Sequence, residues 1–290
     1  MNIIILFFIF IVILFLYIHI IYHLKRSDDL EIYEINSFSK ERLNEVCDLR
    51  QPVLFTYNID NFNEFKVENL LNNYSSFDIK VKFTNDNNDT IIPLKFKDYI
   101  DLIDKEKTNK IFLIENNGEF LEETCLNKKI QYVDNFFKPT GLMSYEYDIL
   151  IGKSQQFTKC QYNLNYRNFF IILEGKVKLK IAPPKSYKYL NVEKDYENFK
   201  FFSNMNIWDP QDKYINDYNK IKFLEIELIP GKVISIPSYW WYSFYFIENK
   251  TNILSLKYRT YMNNVTISPE FLKSILQKQN IKHQLFKKIS

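Results

Sequence analysis

The sequence predicts a mainly β domain with flanking helices, preceded by one N-terminal transmembrane helix. Three observations carry that expectation. Ile3 to Tyr22 is a twenty-residue apolar run with no formal charge at neutral pH. From Tyr147 onward, seven short runs rich in β-branched and aromatic residues are bounded by Gly, Pro or Asn, the punctuation of a β-sandwich or barrel. Finally, 46% hydrophobic content in 290 residues is enough to bury a full core. The 38 basic and 35 acidic residues are interspersed, and the net charge is only +3. That leaves no electrostatic footprint for nucleic acid, so no nucleic-acid partner is expected.

Taken in order, Ile3 to Tyr22 is long enough as a helix to cross about 30 Å of hydrocarbon. A cleaved signal peptide is the alternative, but it needs a basic start, a shorter apolar run and a small-residue cleavage site, and the sole alanine is Ala182. Lys25 and Arg26 follow the run, and basic flanks tend to stay in the cytoplasm. A single-pass protein with a cytoplasmic soluble domain is therefore expected. Cys47, Cys125 and Cys160 are widely separated and form no Cys-x-x-Cys pair, which fits reduced thiols and no zinc signature.

Beyond the anchor and its basic flank (1–26), Ser37 to Leu49 has helical spacing after a serine start. Val53 to Phe55 reads as a strand, Lys66 to Tyr74 as a helix, and Ile79 to Phe83 as a half-buried strand. Asn85 to Asp89 is a turn cluster, Leu94 to Asp104 a helix, and Lys110 to Ile114 a strand. The later strands are Ile149–Gly152, Asn168–Leu173, Lys176–Ile181, Phe223–Leu228, Val233–Ile236, Tyr239–Phe246 and Asn252–Tyr258. Between them, Lys185 to Tyr218 is expected to be a loop or helical insertion. Pro269 to Lys288 places Phe271, Leu272, Ile275, Leu276, Ile281, Leu285 and Phe286 on one apolar side. Such a helix either packs on the domain or offers a homodimer surface.

The most specific segment is Pro230 to Phe246, PGKVISIPSYWWYSFYF. With Arg50-Gln51-Pro52, Asp148 to Gly152, Asn168 to Gly175 and Ala182-Pro183-Pro184, it resembles the JmjC and related cupin-like Fe(II) and 2-oxoglutarate-dependent oxygenases. The resemblance implies a double-stranded β-helix of cupin or jelly-roll type. Residues 27–146 would form its α/β portion, 147–267 the β-helix core and 268–290 a C-terminal helix. Three of the five glycines, Gly152, Gly175 and Gly231, stand where that pattern has them.

The family's metal ligands are where this chain departs. No histidine lies between His23 and His283. The Trp-Trp-His position is Tyr242, and the His-x-Asp frame after Thr158 is Gln161 and Asn163, or Tyr162 and Leu164 in an ungapped register. Two amides and a phenol supply neither the imidazoles nor the carboxylate of a ferrous site. The family's lysine for 2-oxoglutarate falls on Val177, flanked by Lys176 and Lys178. Thr158, Tyr162, Asn168, Lys178 and Trp240 are candidate pocket residues; for Thr158 and Asn168 a turn or hairpin role is the competing reading, and for Trp240 core packing.

No resident cofactor is expected on this reading. The resemblance with its ligands missing implies a catalytically degenerate, membrane-anchored binding or scaffolding module for an unknown protein or small molecule. The alternatives are an atypical Fe(II) and 2-oxoglutarate hydroxylase or demethylase with other ligands, and a purely structural spacer.

Overall fold

The computed structural model describes residues 3–36, 39–85, 88–105 and 111–283. The apolar run is a single helix, α1 (Ile3–Leu24). Strand β1 (Tyr33–Ile35) then leads to α2 (Lys40–Cys47), capped by Ser39, whose side chain accepts from the Arg42 N–H. The expected start at Ser37 lies outside the described residues. Next come β2 (Val53–Thr56), α3 (Val67–Tyr74), β3 (Asp78–Asn85), β4 (Asn88–Lys95), α4 (Phe96–Lys105) and β5 (Ile111–Ile114). Two short helices follow, α5 (Gly118–Glu123) and α6 (Leu126–Val133).

The β-rich part is β6 (Leu142–Gly152), β7 (Gln161–Tyr162), β8 (Arg167–Glu174), β9 (Val177–Ala182), β10 (Val192–Asp195) and β11 (Lys200–Ser203). After the one-turn α7 (Ile215–Tyr218) it resumes with β12 (Leu224–Leu228), β13 (Lys232–Ser235), β14 (Trp241–Phe246) and β15 (Thr251–Thr260). Two helices, α8 (Tyr261–Thr266) and α9 (Ser268–His283), close the described chain.

Two sheets face each other. The larger has the order β1-β2-β13-β8-β15-β6-β5-β3-β4 and the smaller β10-β11-β7-β14-β9-β12. Leu150, Phe170, Ile172, Ile234 and Ile253 of the first meet Val177, Leu179, Ile181, Phe244 and Phe246 of the second in one buried cluster. At roughly 1.5–3 kcal/mol per fully buried large apolar side chain, this interior is a principal source of stability. The other face of the large sheet is covered by α2 to α6, through Leu43, Leu70, Phe96, Tyr99, Phe120 and Ile130. β8 therefore has both faces covered, which is why RNFFIILE reads as a continuous apolar run instead of alternating.

Several expectations need correction. The insertion Lys185 to Tyr218 is not merely loop and helix: β10 and β11 pair as a hairpin, and β11 extends the small sheet through Phe201↔Tyr162 and Phe202↔Gln161. Their four-residue lengths and charged content hide them from pattern reading. The helix expected from Leu94 starts at Phe96, because β4 runs through Pro93 at the open edge of the large sheet. Proline is tolerated on an edge strand, where its missing N–H breaks no ladder. On α9 the apolar residues divide: Phe271 stacks on Phe199, with ring centroids 4.9 Å apart, whereas Leu272, Ile275 and Leu276 are exposed. Leu285 and Phe286 lie outside the described residues.

Candidate functional site

The interior of the sandwich changes character at one end. On β15 the sequence Ser255-Leu-Lys257-Tyr-Arg259 alternates, as a strand requires. Leu256 and Tyr258 enter the cluster beneath the helices. Ser255, Lys257 and Arg259 instead line a pocket of about 120 Å³. The neighbouring β6 contributes Glu146 opposite Lys257 and Asp148 opposite Ser255, with Leu150 deeper along the same strand. Phe170 from β8 completes this wall. The facing wall comes from the small sheet and the loop after β7: Gln161, Asn163 and Tyr242.

The three residues expected to stand at the family's metal-ligand positions converge here. Gln161 and Tyr242 are directly opposed on paired strands, and Asn163 Nδ2 donates to the Tyr242 hydroxyl at 2.8 Å. The phenol is buried, and burial pushes its pKa above the ordinary tyrosine value. A protonated phenol already holding an amide is a poor metal donor. Among the described residues, no group of three or more His, Cys, Asp or Glu side chains is arranged to hold a metal. The donor set does not fit the two imidazoles and one carboxylate of a ferrous oxygenase site.

Charge is nevertheless present. Lys257 Nζ donates to Glu146 Oε1 at 2.5 Å. Burial opposes the ammonium, but the Glu146 carboxylate above all, with Asp148, outweighs it and holds Lys257 above the usual lysine range. Glu146 is held below the usual carboxylate range by Lys257 first, then by Arg259 and Lys200. Asp148 is buried and accepts from the Asn116 and Asn117 N–H groups, each at 2.7 Å. Its burial still pushes the carboxyl up to about 6, against those bonds and Lys257. Ser255 Oγ is buried at the wall with no hydrogen-bond partner among the described residues.

The pocket opens outward into a cleft of about 610 Å³, shared at Glu115, Asn116, Gln161, Asn198 and Lys200 and bordered farther out by Lys159, Glu193, Lys213 and Tyr214.

Of the other candidate pocket residues, Tyr162 borders the pocket but mainly stacks on Phe201 and meets Trp241 edge to face. Thr158 does not line it. Its Oγ1 accepts from the Phe244 N–H at 2.9 Å and its carbonyl accepts from Ser243 Oγ, pinning the loop before β7 to β14. Asn168 latches the strand entrance by donating to the Ile236 carbonyl at 3.0 Å. Lys178 pairs with Glu225 on the solvent side of the small sheet. Trp240 lies in the inter-sheet core with Nε1 donating to the Arg50 carbonyl at 3.0 Å, while Trp241 points the opposite way into a cluster with Tyr162 and Phe201. Val177, expected at the family's lysine position, is buried and apolar.

With this geometry in hand, the comparison with known sequences is decisive for kinship: residues 40–254 match the cupin-like domain. The chain belongs to the cupin-like domain family. The likeness read from the Ile-Pro-x-x-Trp-Trp segment to JmjC-type proteins thus holds at family level. Relatives include HSPB1-associated protein 1 of Homo sapiens, 25% identical over 124 residues that cover 42% of this chain and 25% of that protein. The Rattus norvegicus protein of the same name is 24% identical over 124 residues, covering 42% and 26%. The Bos taurus protein is 25% identical over 103 residues, covering 35% and 21%. The matched part thus spans about a quarter of the length of these relatives.

Within this cupin-like domain, sequence reading missed Glu146, Ser255, Lys257 and Arg259. The available signal was the alternation of polar with apolar residues in SLKYRT.

Proposed function

We propose that this protein is a membrane-anchored cupin-like domain, its sheets forming a double-stranded β-helix, that binds rather than oxidises. The observation that carries the reading is the Asn163 to Tyr242 hydrogen bond, which sets a neutral amide and phenol in the pocket wall. Gln161 beside them adds a second amide. No imidazole or free carboxylate is among the three, so iron and the oxygen chemistry it supplies have no place in the mechanism proposed.

The pocket retains ligand-binding character. Its volume of about 120 Å³ would hold roughly ten water-sized spheres, enough for a small polar molecule. Lys257, Arg259 and the unpartnered Ser255 hydroxyl offer donors to it. The relatives' name describes association with HSPB1, and a protein partner is proposed for this chain too, met at the outer cleft. Helix α1 is long and apolar enough to span a membrane; it is read as the anchor, with Lys25 and Arg26 keeping the domain on the cytoplasmic side.

The test is metal analysis of the full chain purified in detergent without chelator, followed by titration with ferrous iron and 2-oxoglutarate. The expected result is sub-stoichiometric metal and no saturable heat. Stoichiometric iron with co-substrate binding would overturn the reading in favour of an oxygenase with other ligands.

A further inference from the structure

Helix α1 is not joined to the domain by a free tether. Ile18, His19, Tyr22 and His23 line an apolar groove of about 400 Å³ with Gly141, Tyr166, Tyr261 and Met262. His23 packs on Tyr166 with ring centroids 5.3 Å apart, and the Arg50 guanidinium lies over the rings of both Tyr22 and Tyr166. Farther on, Arg26 covers the Tyr239 ring at 3.6 Å, and the Lys185 N–H donates to Asp28 Oδ1 at 2.7 Å. The chain from Ile18 to Asp28 is thus clamped to the domain.

Length then fixes depth. Twenty-two helical residues rise about 33 Å, against about 30 Å of hydrocarbon. A span therefore consumes nearly the whole helix. Ile18 stands about 9 Å before its end at 1.5 Å per residue. Domain atoms packed against Ile18 to His23 consequently reach the hydrocarbon boundary, and about 6 Å past it at the deepest.

The helices beside that groove carry exposed apolar side chains. Tyr261 is 60% exposed and Val265 41% exposed on α8. On α9, which starts beside Leu24 and Arg26 in a shared cavity, Leu272, Ile275 and Leu276 are each more than half exposed. Their i, i+3, i+4 spacing makes one stripe. Lys273 is already paired with Glu270, so the face relies on apolar burial more than on anionic lipid.

We propose that this face, α8 with the outer side of α9, rests in the interfacial layer of the bilayer, so that the domain lies on the membrane in one fixed orientation. The proposal rests on reading α1 as a span. Continuity with that helix is what selects lipid over a second copy of the chain as the occupant.

The test uses the full chain in phosphatidylcholine nanodiscs, in a Cys125→Ser background, since Cys47 and Cys160 are buried. Nitroxides are placed by Tyr261→Cys, Leu272→Cys, Leu276→Cys, by Tyr132→Cys as a water-exposed control, and by Ile13→Cys in the span. Accessibility to oxygen and to a water-soluble nickel chelate is then measured. The expected oxygen-to-nickel ratio is several-fold higher at 261, 272 and 276 than at 132, approaching that at 13. Ratios equal to that at 132, with position 13 still lipid-like, overturn the proposal alone. A water-like reading at 13 overturns the anchor reading itself. Low accessibility to both reagents with spin–spin broadening at 272 and 276 overturns it in favour of a second copy.

Discussion

Tyr242 shows how one side chain sets what the pocket can do. Its hydroxyl accepts from Asn163 at 2.8 Å, so Tyr242→Phe is expected to lower stability by about 1 kcal/mol, the net worth of a neutral hydrogen bond with its donor left open to the pocket. Thermal unfolding measures it. If Gln161, Asn163 and Tyr242 occupy the family's ligand positions, the combined change Gln161→His, Asn163→Asp and Tyr242→His should create a divalent-metal site. Cobalt titration followed by visible absorption would report it, and no absorption from a folded triple variant would contradict that geometry. Asp148 gives a pH prediction. Its folded carboxyl is raised from 3.8 to about 6, so folding favours the protonated form. That contribution is fully present below about pH 4 and is lost as pH rises through 6. NMR titration of the Asp148 carboxyl carbon should show a midpoint near 6, and a midpoint below 4 would mean that the Asn116 and Asn117 N–H groups outweigh burial.

At the scale of elements, the β8–β9 turn is the sharpest point. Gly175 has φ of +72°, and a Cβ there would lie 2.1 Å from Thr251 Oγ1 and 2.9 Å from its Cα. Left-handed strain of about 1–2 kcal/mol and overpacking of about 1–3 kcal/mol make Gly175→Ala destabilising by roughly 2–5 kcal/mol. Urea unfolding should show it, and Gly175→Ala with Thr251→Ala should recover only part, because the Thr251 backbone remains in the way. This turn was legible in the sequence, since a glycine between two β-branched runs has few other meanings. So were β13 and β14, where Gly231 and Ile-Pro punctuate apolar strands, and β8, whose apolar run has strand length. The pocket wall was less legible. Reading Ser255, Lys257 and Arg259 as one stripe requires knowing that Leu256 and Tyr258 face the helices, and both faces of β15 are buried in its first half. Glu146 is a half-exposed charge whose place beside Lys257 follows only from the strand pairing. β10 and β11 gain their stability from pairing with each other and with β7, a non-local contact that leaves no local period.

At the scale of the whole molecule, the proposed reading of α1 as a membrane span gives helix and domain different solvents, and their coupling can be weighed. None of the three buried clusters draws a residue from Ile3–Leu24, and His23 alone in α1 is buried. What α1 contributes to the domain is cover for Arg50, whose Nε and Nη2 have no hydrogen-bond partner among the described residues although the residue is only 2% exposed. A chain starting at Ser27 loses the packing of Tyr22 and His23 on Tyr166 and Arg50. It also lets water reach those guanidinium nitrogens, and an unsatisfied buried donor otherwise costs about 1–3 kcal/mol. The two effects oppose each other. The shortened chain is therefore expected to fold, with Tm within several degrees of the full chain in detergent, because about 1 kcal/mol shifts Tm by roughly 2–4 °C in a domain of this size. Circular dichroism and a dispersed amide NMR spectrum would check it. A fragment that is molten or insoluble would mean that α1 works as a core element of the cupin-like domain, and the reading of that helix as a separable membrane anchor would fall with it.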